Sequence, residues 1–193
     1  MKIAAVILAG GEGRRIGGGK PLRRLGGTSL LERAVRQARQ WSDAVSVAVR
    51  DEGQLGATDL RTVLDEPEIA GPLGGLAAGL AFARDTGRDA LLSLPADMPF
   101  LPEDFSPRLE QAIGGGLAAL ASSGGHLHPV CGLWRIGALD RLPGYLGSGK
   151  RSLKGFAEFV GFTTVDWPAG PPDPFLNINS AEDLASAERL VRG

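Results

Sequence analysis

The chain has 193 residues, of which 43% are hydrophobic and 22% charged, as is usual for a globular protein, and we predict a single domain over residues 1–193. Its formal net charge of −1 gives no basic excess for nucleic-acid binding, and no apolar run approaches the roughly 20 residues of a membrane span. The one cysteine, Cys131, excludes an internal disulfide and is typical of a reducing compartment, so we expect a cytoplasmic protein. We also expect a monomer that binds neither nucleic acid nor membranes.

Predicted strands and helices alternate in the first half of the chain. Apolar runs predict strands at residues 1–10, 44–49, 62–64 and 90–94. Helices are predicted after the capping-box pattern Ser29–Glu32, from the turn 71–75 to about Arg84, and from Pro102 to Ile113. Such alternation is typical of a mostly parallel sheet that carries helices on both faces.

The second half of the chain is less regular. Strands are predicted at 117–121 and 127–134, joined by a turn of serine and glycine, and they indicate an antiparallel excursion at the edge of the sheet. Helices are predicted at 151–159 and 180–191, with Ser180 as the cap of the second. We therefore predict an α/β fold, with a Rossmann-like, doubly wound, mostly parallel sheet.

A loop rich in glycine and basic residues, 10–20, follows the first predicted strand. Glycine lets the backbone approach a ligand closely, so that its N–H groups can face an anion. Arg14, Arg15 and Lys20 add positive charge to the same loop. The segment therefore predicts a phosphate site, and with it a nucleotide-binding enzyme.

Two well-known glycine loops do not match this segment. A P-loop needs glycine five residues before its Gly-Lys pair and Ser or Thr after it, but here Arg14 and Pro21 stand at those positions. The dinucleotide fingerprint would need a third glycine where the chain has Ile16. The phosphate site is therefore of another kind.

Polar side chains also follow the later strands. Asp65 ends the strand 62–64, Asp97 follows the strand 90–94, and Asn177 and Asn179 precede the last helix. Ligands of open α/β sheets bind outside the carboxyl ends of the strands, so we expect these residues and the glycine loop to meet at one crevice.

Asp97 lies in a turn between Pro95 and Pro99, which hold its carboxylate at the rim of the sheet. Mg²⁺ prefers oxygen ligands and is often bound by one or two carboxylates together with substrate phosphates. We therefore predict Mg²⁺ as the cofactor and Asp97 as its ligand. A purely structural role, in which Asp97 only caps the following turn, would explain the same position.

The remaining polar residues can likewise be explained by a structural role. Lys20 is a phosphate ligand or a solvated cation, and Asp65 binds a nucleotide hydroxyl or base or forms the turn before Pro67. Asn177 and Asn179 bind a polar ligand or cap the last helix.

With these residues assembled, the chain resembles the molybdenum cofactor guanylyltransferases, within the wider nucleotidyltransferase family, almost from end to end. The resemblance rests on the loop 8–20 and on the segments 71–76, 95–102, 128–134 and 175–184. It implies the nucleotidyltransferase fold, and it favours Arg15 over Arg14 as the phosphate contact.

The resemblance also implies the site residues. The nucleotide-binding residues are Leu8, Ala9, Gly10, Gly11, Lys20, Asp65 and Asp97. The catalytic residues are Lys20, Asp97 and Arg15, with Asp97 as the metal ligand. The residues that contact the pterin substrate are His128, Asn177, Asn179 and Arg151, although Arg151 also fits a solvated basic face.

The implied reaction transfers GMP from GTP to the terminal phosphate of molybdopterin, free or molybdenum-bound, and releases pyrophosphate. GTP and molybdopterin are thus the expected partners. Members of the family commonly place asparagine at the end of the second strand, where this chain has Val49 and Arg50, so a related cytidylyltransferase would also fit. The same motifs would suit a sugar-phosphate nucleotidyltransferase, or a protein that binds GTP without transferring it.

Overall fold

Strands and helices alternate through the residues that the computed structural model describes, which are 1–9, 20–56, 58–69 and 71–192, with the side chain of Arg192 excepted. The strands are β1 (Ile3–Leu8), β2 (Arg24–Leu25), β3 (Thr28–Ser29), β4 (Ala44–Val49), β5 (Thr62–Leu64), β6 (Ala90–Pro95), β7 (Ala118–Ser123), β8 (His126–Arg135) and β9 (Thr163–Trp167). The helices are α1 (Leu30–Trp41), α2 (Pro72–Asp85), α3 (Phe105–Ile113), α4 (Leu142–Gly147), α5 (Leu153–Val160) and α6 (Ala181–Arg192), with 3-10 turns at Lys20–Leu22 and Ile136–Arg141.

Seven strands form one sheet in the order β5-β4-β1-β6-β8-β7-β9. The strand β1 is parallel to both neighbours, and its residue Ala5 lies opposite Val45 of β4 and Leu92 of β6. The strand β5 extends the parallel part, so the carboxyl ends of β5, β4, β1 and β6 meet at one edge. The predicted α/β fold with a mostly parallel sheet is confirmed.

The antiparallel strand lies in a different place from the one expected. The strand β8 runs antiparallel to β6 and β7, but it is inside the sheet, because β9 pairs in parallel with β7 and forms the edge. The strand β9 was not predicted, although residues 164–167 alternate between exposed and buried positions, with Val165 and Trp167 buried. The predicted antiparallel pair is therefore present, with β9 outside it at the edge of the sheet.

Successive residues of β1 point to two separate hydrophobic cores. Ala5 and Ile7 pack in the core that contains α1 and α3, and Ala4 and Val6 pack in the core that contains α2 and α5. Both faces of the sheet are thus covered, as a doubly wound sheet requires. The helix α2 lies very close to the sheet at Gly79, where an added Cβ would be 2.8 Å from Cγ1 of Val6.

Both predicted helix caps are present. The Ser29 hydroxyl accepts the Glu32 N–H and the Glu32 carboxylate accepts the Ser29 N–H, which starts α1. At the start of α6, Ser180 Oγ accepts the Asp183 N–H over 3.1 Å, and Asp183 Oδ2 accepts the Ser180 N–H over 2.9 Å. In the same described ranges, no helix has both the length and the apolar character that crossing a bilayer requires.

The C-terminal helix returns to the beginning of the chain. Ile178, just before α6, and Ala187 within it are buried together with Leu25 of β2 and Leu30 of α1. The Gly26 N–H also donates to Oε1 of Glu188 over 2.8 Å. These contacts bring the segment before α6 close to Lys20.

Candidate active site

A cavity opens beyond the carboxyl ends of β1, β5 and β6. It is lined by Leu8, Arg50, Asp65, Gly71, Pro72, Gly75, Pro95, Asp97, Val130 and Asn177. Open α/β sheets bind ligands at this edge. The cavity therefore lies where the sequence analysis expected the crevice.

Lys20 joins three of the predicted polar residues at this edge. Its side chain is buried, and its ammonium forms an ion pair with Asp97 Oδ2. The same ammonium donates to Oδ1 of Asn179 over 2.7 Å and to Oδ1 of Asn177 over 3.4 Å. A lysine held in this way is a fixed positive charge inside the site rather than a solvated cation.

Asp97 follows β6, and its two carboxylate oxygens have different surroundings. Oδ2 is paired with Lys20, whereas Oδ1 is buried without a hydrogen-bond partner in the part of the chain that the structure describes. The backbone carbonyl of Asp97 accepts the Ile178 N–H over 3.0 Å, so Asp97 is fixed against the segment that precedes α6. Buried polar atoms are nearly always paired, so the Oδ1 atom is a candidate contact for a ligand.

Asp65 stands on the other side of the cavity, directly after β5. Its backbone N–H donates to the Val49 carbonyl over 2.8 Å, and its Oδ1 atom is buried without a partner among the described residues. Burial raises the pKa of the Asp65 carboxyl, and the nearby charge of Arg50 opposes that shift. Gly75 makes room for this carboxylate, because a Cβ there would lie 3.0 Å from Asp65 Oδ1.

The end of β1 is fixed by a side chain that the sequence analysis did not single out. Gln54 Nε2 donates to the Ala9 carbonyl over 2.7 Å, and its Oε1 accepts the Arg50 N–H over 2.9 Å. The Ala9 N–H in turn donates to the Ala48 carbonyl over 3.1 Å. No sequence motif marks Gln54, because its role depends on the parallel pairing of β1 with β4.

Part of the predicted site cannot be compared with these contacts. Leu8 lines the cavity, but Gly10, Gly11 and Arg15 lie outside the described residues, as does the rest of the glycine loop before Lys20. Their roles remain predictions.

His128 and Arg151 are not among the residues that line this cavity. The His128 ring stacks on Phe175, with centroids 4.7 Å apart, and its Nε2 lies 2.9 Å from Ser123 Oγ. Burial lowers the pKa of His128, an effect that the nearby charge of Asp173 opposes. Arg151 is exposed, and its Nη1 donates to the carbonyls of Leu146 and Lys150.

Asn179 takes part both in the start of α6 and in the site. The Asn179 backbone N–H donates to Asp183 Oδ2 over 2.9 Å at the start of α6, while its side chain faces Lys20. The Asn177 side chain also lines the cavity. Both amide side chains therefore face the site, where their Oδ1 atoms accept hydrogen bonds from Lys20.

The described residues do not form a complete cage for a metal ion. No group of three or more His, Cys, Asp or Glu side chains comes together within the described ranges. A cation at Asp97 would thus take most of its ligands from water or from a bound phosphate, which is how Mg²⁺ is commonly held.

The chain is similar to known proteins over nearly its whole length. A family model described as MobA-like NTP transferase domain matches residues 5–161. The molybdenum cofactor guanylyltransferase of Cereibacter sphaeroides is 41% identical over 194 residues, which cover 100% of this chain and 98% of the relative. The protein of the same name from Bradyrhizobium sp. (strain ORS 278) is 42% identical over 197 residues, which cover 98% of this chain and 93% of the relative.

A solved structure has the same fold. The crystal structure of molybdopterin-guanine dinucleotide biosynthesis protein A from Archaeoglobus fulgidus matches with a TM-score of 0.76 and 24% identity, covering 100% of this chain and 99% of that chain. The match of the family model and the 41% identity to a full-length relative place the chain in a known class of enzymes. The chain belongs to the family of MobA-like NTP transferases and is a nucleotidyltransferase.

Proposed function

We propose that this protein transfers GMP from GTP to the terminal phosphate of molybdopterin, free or molybdenum-bound, and releases pyrophosphate. The names of the full-length relatives favour guanylyl transfer over cytidylyl transfer or simple GTP binding. The structural observation that carries the proposal is the meeting of Lys20 with Asp97, Asn177 and Asn179 at the carboxyl edge of the sheet.

The reaction requires two anionic groups to be brought together. An oxygen of the pterin phosphate attacks the α-phosphorus of GTP, and the bond from that phosphorus to the bridging oxygen of pyrophosphate breaks. Positioning and charge neutralisation provide most of the rate enhancement in such a step. Lys20 supplies a positive charge whose position is already fixed by the asparagine carbonyls, so little reorganisation is needed when phosphate oxygens arrive.

The proposed cofactor is a divalent cation, and specifically Mg²⁺, held by Asp97. The buried and unpartnered Oδ1 atom of Asp97 is the kind of hard oxygen donor that Mg²⁺ prefers. When bound, the ion neutralises phosphate charge and polarises the phosphoryl oxygens. The residues present therefore fit this group.

The nucleotide is assigned to the side of the cavity formed by β1 and β5. Leu8 and Ala9 would contact the nucleotide where β1 ends, and Gly10 and Gly11 would hold its phosphates through backbone N–H groups, because the Ala9 N–H already donates to the Ala48 carbonyl. The Asp65 carboxylate would accept hydrogen bonds from a hydroxyl or from the base, since its Oδ1 atom has no partner among the described residues. Arg15 is proposed as a further phosphate contact.

The acceptor is assigned to the side formed by Asn177 and Asn179, whose amides can both donate and accept hydrogen bonds. His128 and Arg151 remain proposed contacts of the pterin or its phosphate. Because neither lines the cavity, each would have to act where the acceptor extends beyond it.

The experiment that tests this function presents GTP, CTP, ATP and UTP separately to the purified protein, with Mg²⁺ and molybdopterin, and follows the release of pyrophosphate. We expect release with GTP, dependent on molybdopterin and abolished by EDTA. Release with CTP instead would indicate a cytidylyltransferase. Binding of GTP without any release would indicate a protein that binds the nucleotide but does not transfer it.

A further inference from the structure

We propose that Ser123 and Asp173 are positioning residues that hold the strap, residues 173–179, so that Asn177 and Asn179 face Lys20. This inference rests on the proposed function, because it assigns these asparagines to the acceptor substrate. The link does not involve the cavity directly. It is a chain of hydrogen bonds at the first residue of the strap.

The Ser123 hydroxyl is the centre of this chain of contacts. Ser123 is the last residue of β7 and is buried, with 1% of its surface exposed. Its Oγ lies 2.9 Å from His128 Nε2 on the neighbouring strand, and 3.1 and 3.2 Å from the two carboxylate oxygens of Asp173. A buried hydroxyl thus connects the sheet to the first residue of the strap.

Ser123 has a single hydroxyl proton, which determines which group donates in each of these hydrogen bonds. An ionised Asp173 only accepts, so the Ser123 hydroxyl donates to it and cannot also donate to His128. The Nε2 atom of His128 must then carry a proton and donate to Ser123 Oγ. A neutral His128 is then the tautomer that carries its proton on Nε2.

The strap is also held near its first residue by Phe175. The Phe175 N–H donates to Asp173 Oδ1 over 2.8 Å, which ties the turn together. The Phe175 ring is buried, stacks on His128 and lies 5.4 Å from the ring of Trp167. Asp173 therefore fixes the backbone and His128 fixes the side chain of the same residue.

The other end of the strap is fixed next to the reacting groups. The Ile178 N–H donates to the Asp97 carbonyl over 3.0 Å, and its side chain is completely buried. Asn177 and Asn179 flank Ile178, and their Oδ1 atoms both face the Lys20 ammonium. With both ends held, the two amides have fixed positions, whereas loss of the first anchor leaves the packing of Phe175 and the backbone bonds of Ile178 and Asn179 to hold the strap.

The chain offers a matched control on the same strand. The Ser122 hydroxyl donates to Asp166 Oδ1 over 2.6 Å, which is also a bond from a buried serine to a carboxylate. Its partner, however, belongs to β9 and not to the strap. Ser122→Ala therefore removes a similar bond without touching the strap.

The test compares Ser123→Ala with Ser122→Ala in steady-state kinetics. We expect Ser123→Ala to raise KM for molybdopterin about tenfold, a loss of ~1.4 kcal/mol, and to change KM for GTP less than about twofold, because the Lys20–Asp97 pair remains. Asp173→Asn, which keeps an oxygen acceptor for both Ser123 and Phe175, should restore most of the affinity that Asp173→Ala loses. Ser122→Ala should leave both KM values unchanged.

Two readouts do not depend on activity. Ser123→Ala should accelerate amide hydrogen exchange at Phe175 and Ile178, and ¹⁵N NMR should show a change in the tautomer of His128, one of only two histidines in the chain. Unchanged exchange and an unchanged tautomer, or the same kinetic effect from Ser122→Ala, would overturn the proposal. If the wild-type protein releases no pyrophosphate, the proposed function fails, while hydrogen exchange still decides whether Ser123 holds the strap. If Ser123→Ala does not fold, the pair Asp173→Ala and Asp173→Asn provides the same comparison.

Discussion

The Lys20 ammonium donates a hydrogen bond to the Asn179 side chain over 2.7 Å, although 159 residues separate the two in sequence. The contact depends on α6, which packs against β2 and receives the Gly26 N–H on Glu188. One site is therefore assembled from the connection that follows β1 and from the segment that precedes α6. Changes at either end of the chain are expected to affect the same reaction.

Lys20→Ala removes the charge at the centre of the site. It leaves the Asp97 carboxylate unpaired and the two asparagine carbonyls without their donor. We expect kcat/KM for GTP to fall at least about 100-fold, or ~2.7 kcal/mol of transition-state stabilisation. Lys154→Ala is the control, since Lys154 is exposed and 4.0 Å from Glu158, where an ion pair contributes little. Equal kinetics of both variants would show that Lys20 is not part of the machinery.

Asp97→Asn tests the proposed metal ligand with almost no change in shape. The bond from the Ile178 N–H to the backbone carbonyl of Asp97 is unaffected, so we expect the fold to persist. Turnover in Mg²⁺ should be nearly abolished, because a neutral amide is a much poorer ligand for a hard cation than a carboxylate. The exposed Asp140→Asn should behave as wild type in kinetics and in thermal unfolding. Normal Mg²⁺-dependent turnover of Asp97→Asn would exclude Asp97 as the metal ligand.

Asp65 makes the stability of the fold depend on pH. Because burial raises its pKa in the folded state above the ordinary value of 3.8, the folded protein binds this proton more tightly than the unfolded chain does. The stabilisation of the folded state by this tighter proton binding is complete when the pH is below the ordinary pKa. It is lost as the pH rises through the raised pKa of the folded state. Asp65→Asn has no carboxyl to titrate at this position. The Tm of the variant should therefore increase relative to that of the wild type as the pH rises from about 4 to about 7.

The exposed Asp51→Asn serves as the control for this pH series. Its Tm should follow the wild type at every pH. The same titration measured in the presence of GTP should show weaker nucleotide stabilisation of Asp65→Asn, since the amide replaces an acceptor oxygen that faces the cavity. A constant difference in Tm between Asp65→Asn and wild type across the series would contradict the raised pKa.

Local patterns in the sequence were enough to predict much of the fold and the position of the crevice. The capping boxes at Ser29 and Ser180 start helices where expected, and the apolar runs form the parallel strands. Asp65 and Asp97 line one cavity because the carboxyl ends of parallel strands share an edge. These features depend on residues that are close in sequence or on a general rule of sheet topology.

Features that depend on pairing between distant segments were not predicted. The strand β9 has only five residues, and its position at the edge is decided by pairing with β7. The contact of Gln54 with Ala9 and the contact of Ser123 with Asp173 likewise join residues that no spacing rule connects. Three-dimensional packing supplies this information, and single-sequence periodicity does not.

Gly79→Ala tests how closely α2 lies on the sheet. Alanine favours helices, but its Cβ would lie 2.8 Å from Val6 Cγ1 and 2.9 Å from Leu91 Cδ2, so we expect a net destabilisation of about 1–3 kcal/mol in chemical unfolding. Gly147→Ala in α4 is the control, because no atom lies within 4 Å of an added Cβ there. It should stabilise the protein by ~0.4–1 kcal/mol, because alanine lowers the conformational entropy of the unfolded chain. Stabilisation by both substitutions would show that the helix has room to move away.

Gln54→Glu tests whether this side chain orients the start of the nucleotide loop. The substitution keeps an acceptor for the Arg50 N–H but replaces the amide donor with a charged oxygen that repels the Ala9 carbonyl. Because Ala9 directly precedes the glycine loop, we expect KM for GTP to rise about fivefold, the effect of losing a hydrogen bond worth ~1 kcal/mol, while KM for molybdopterin stays constant. Gln111→Glu makes the same change of charge at an exposed position of α3 and should leave both values unaltered. If Gln54→Glu instead raised KM for molybdopterin alone, the hydrogen bond from Gln54 to the Ala9 carbonyl would have no part in nucleotide binding.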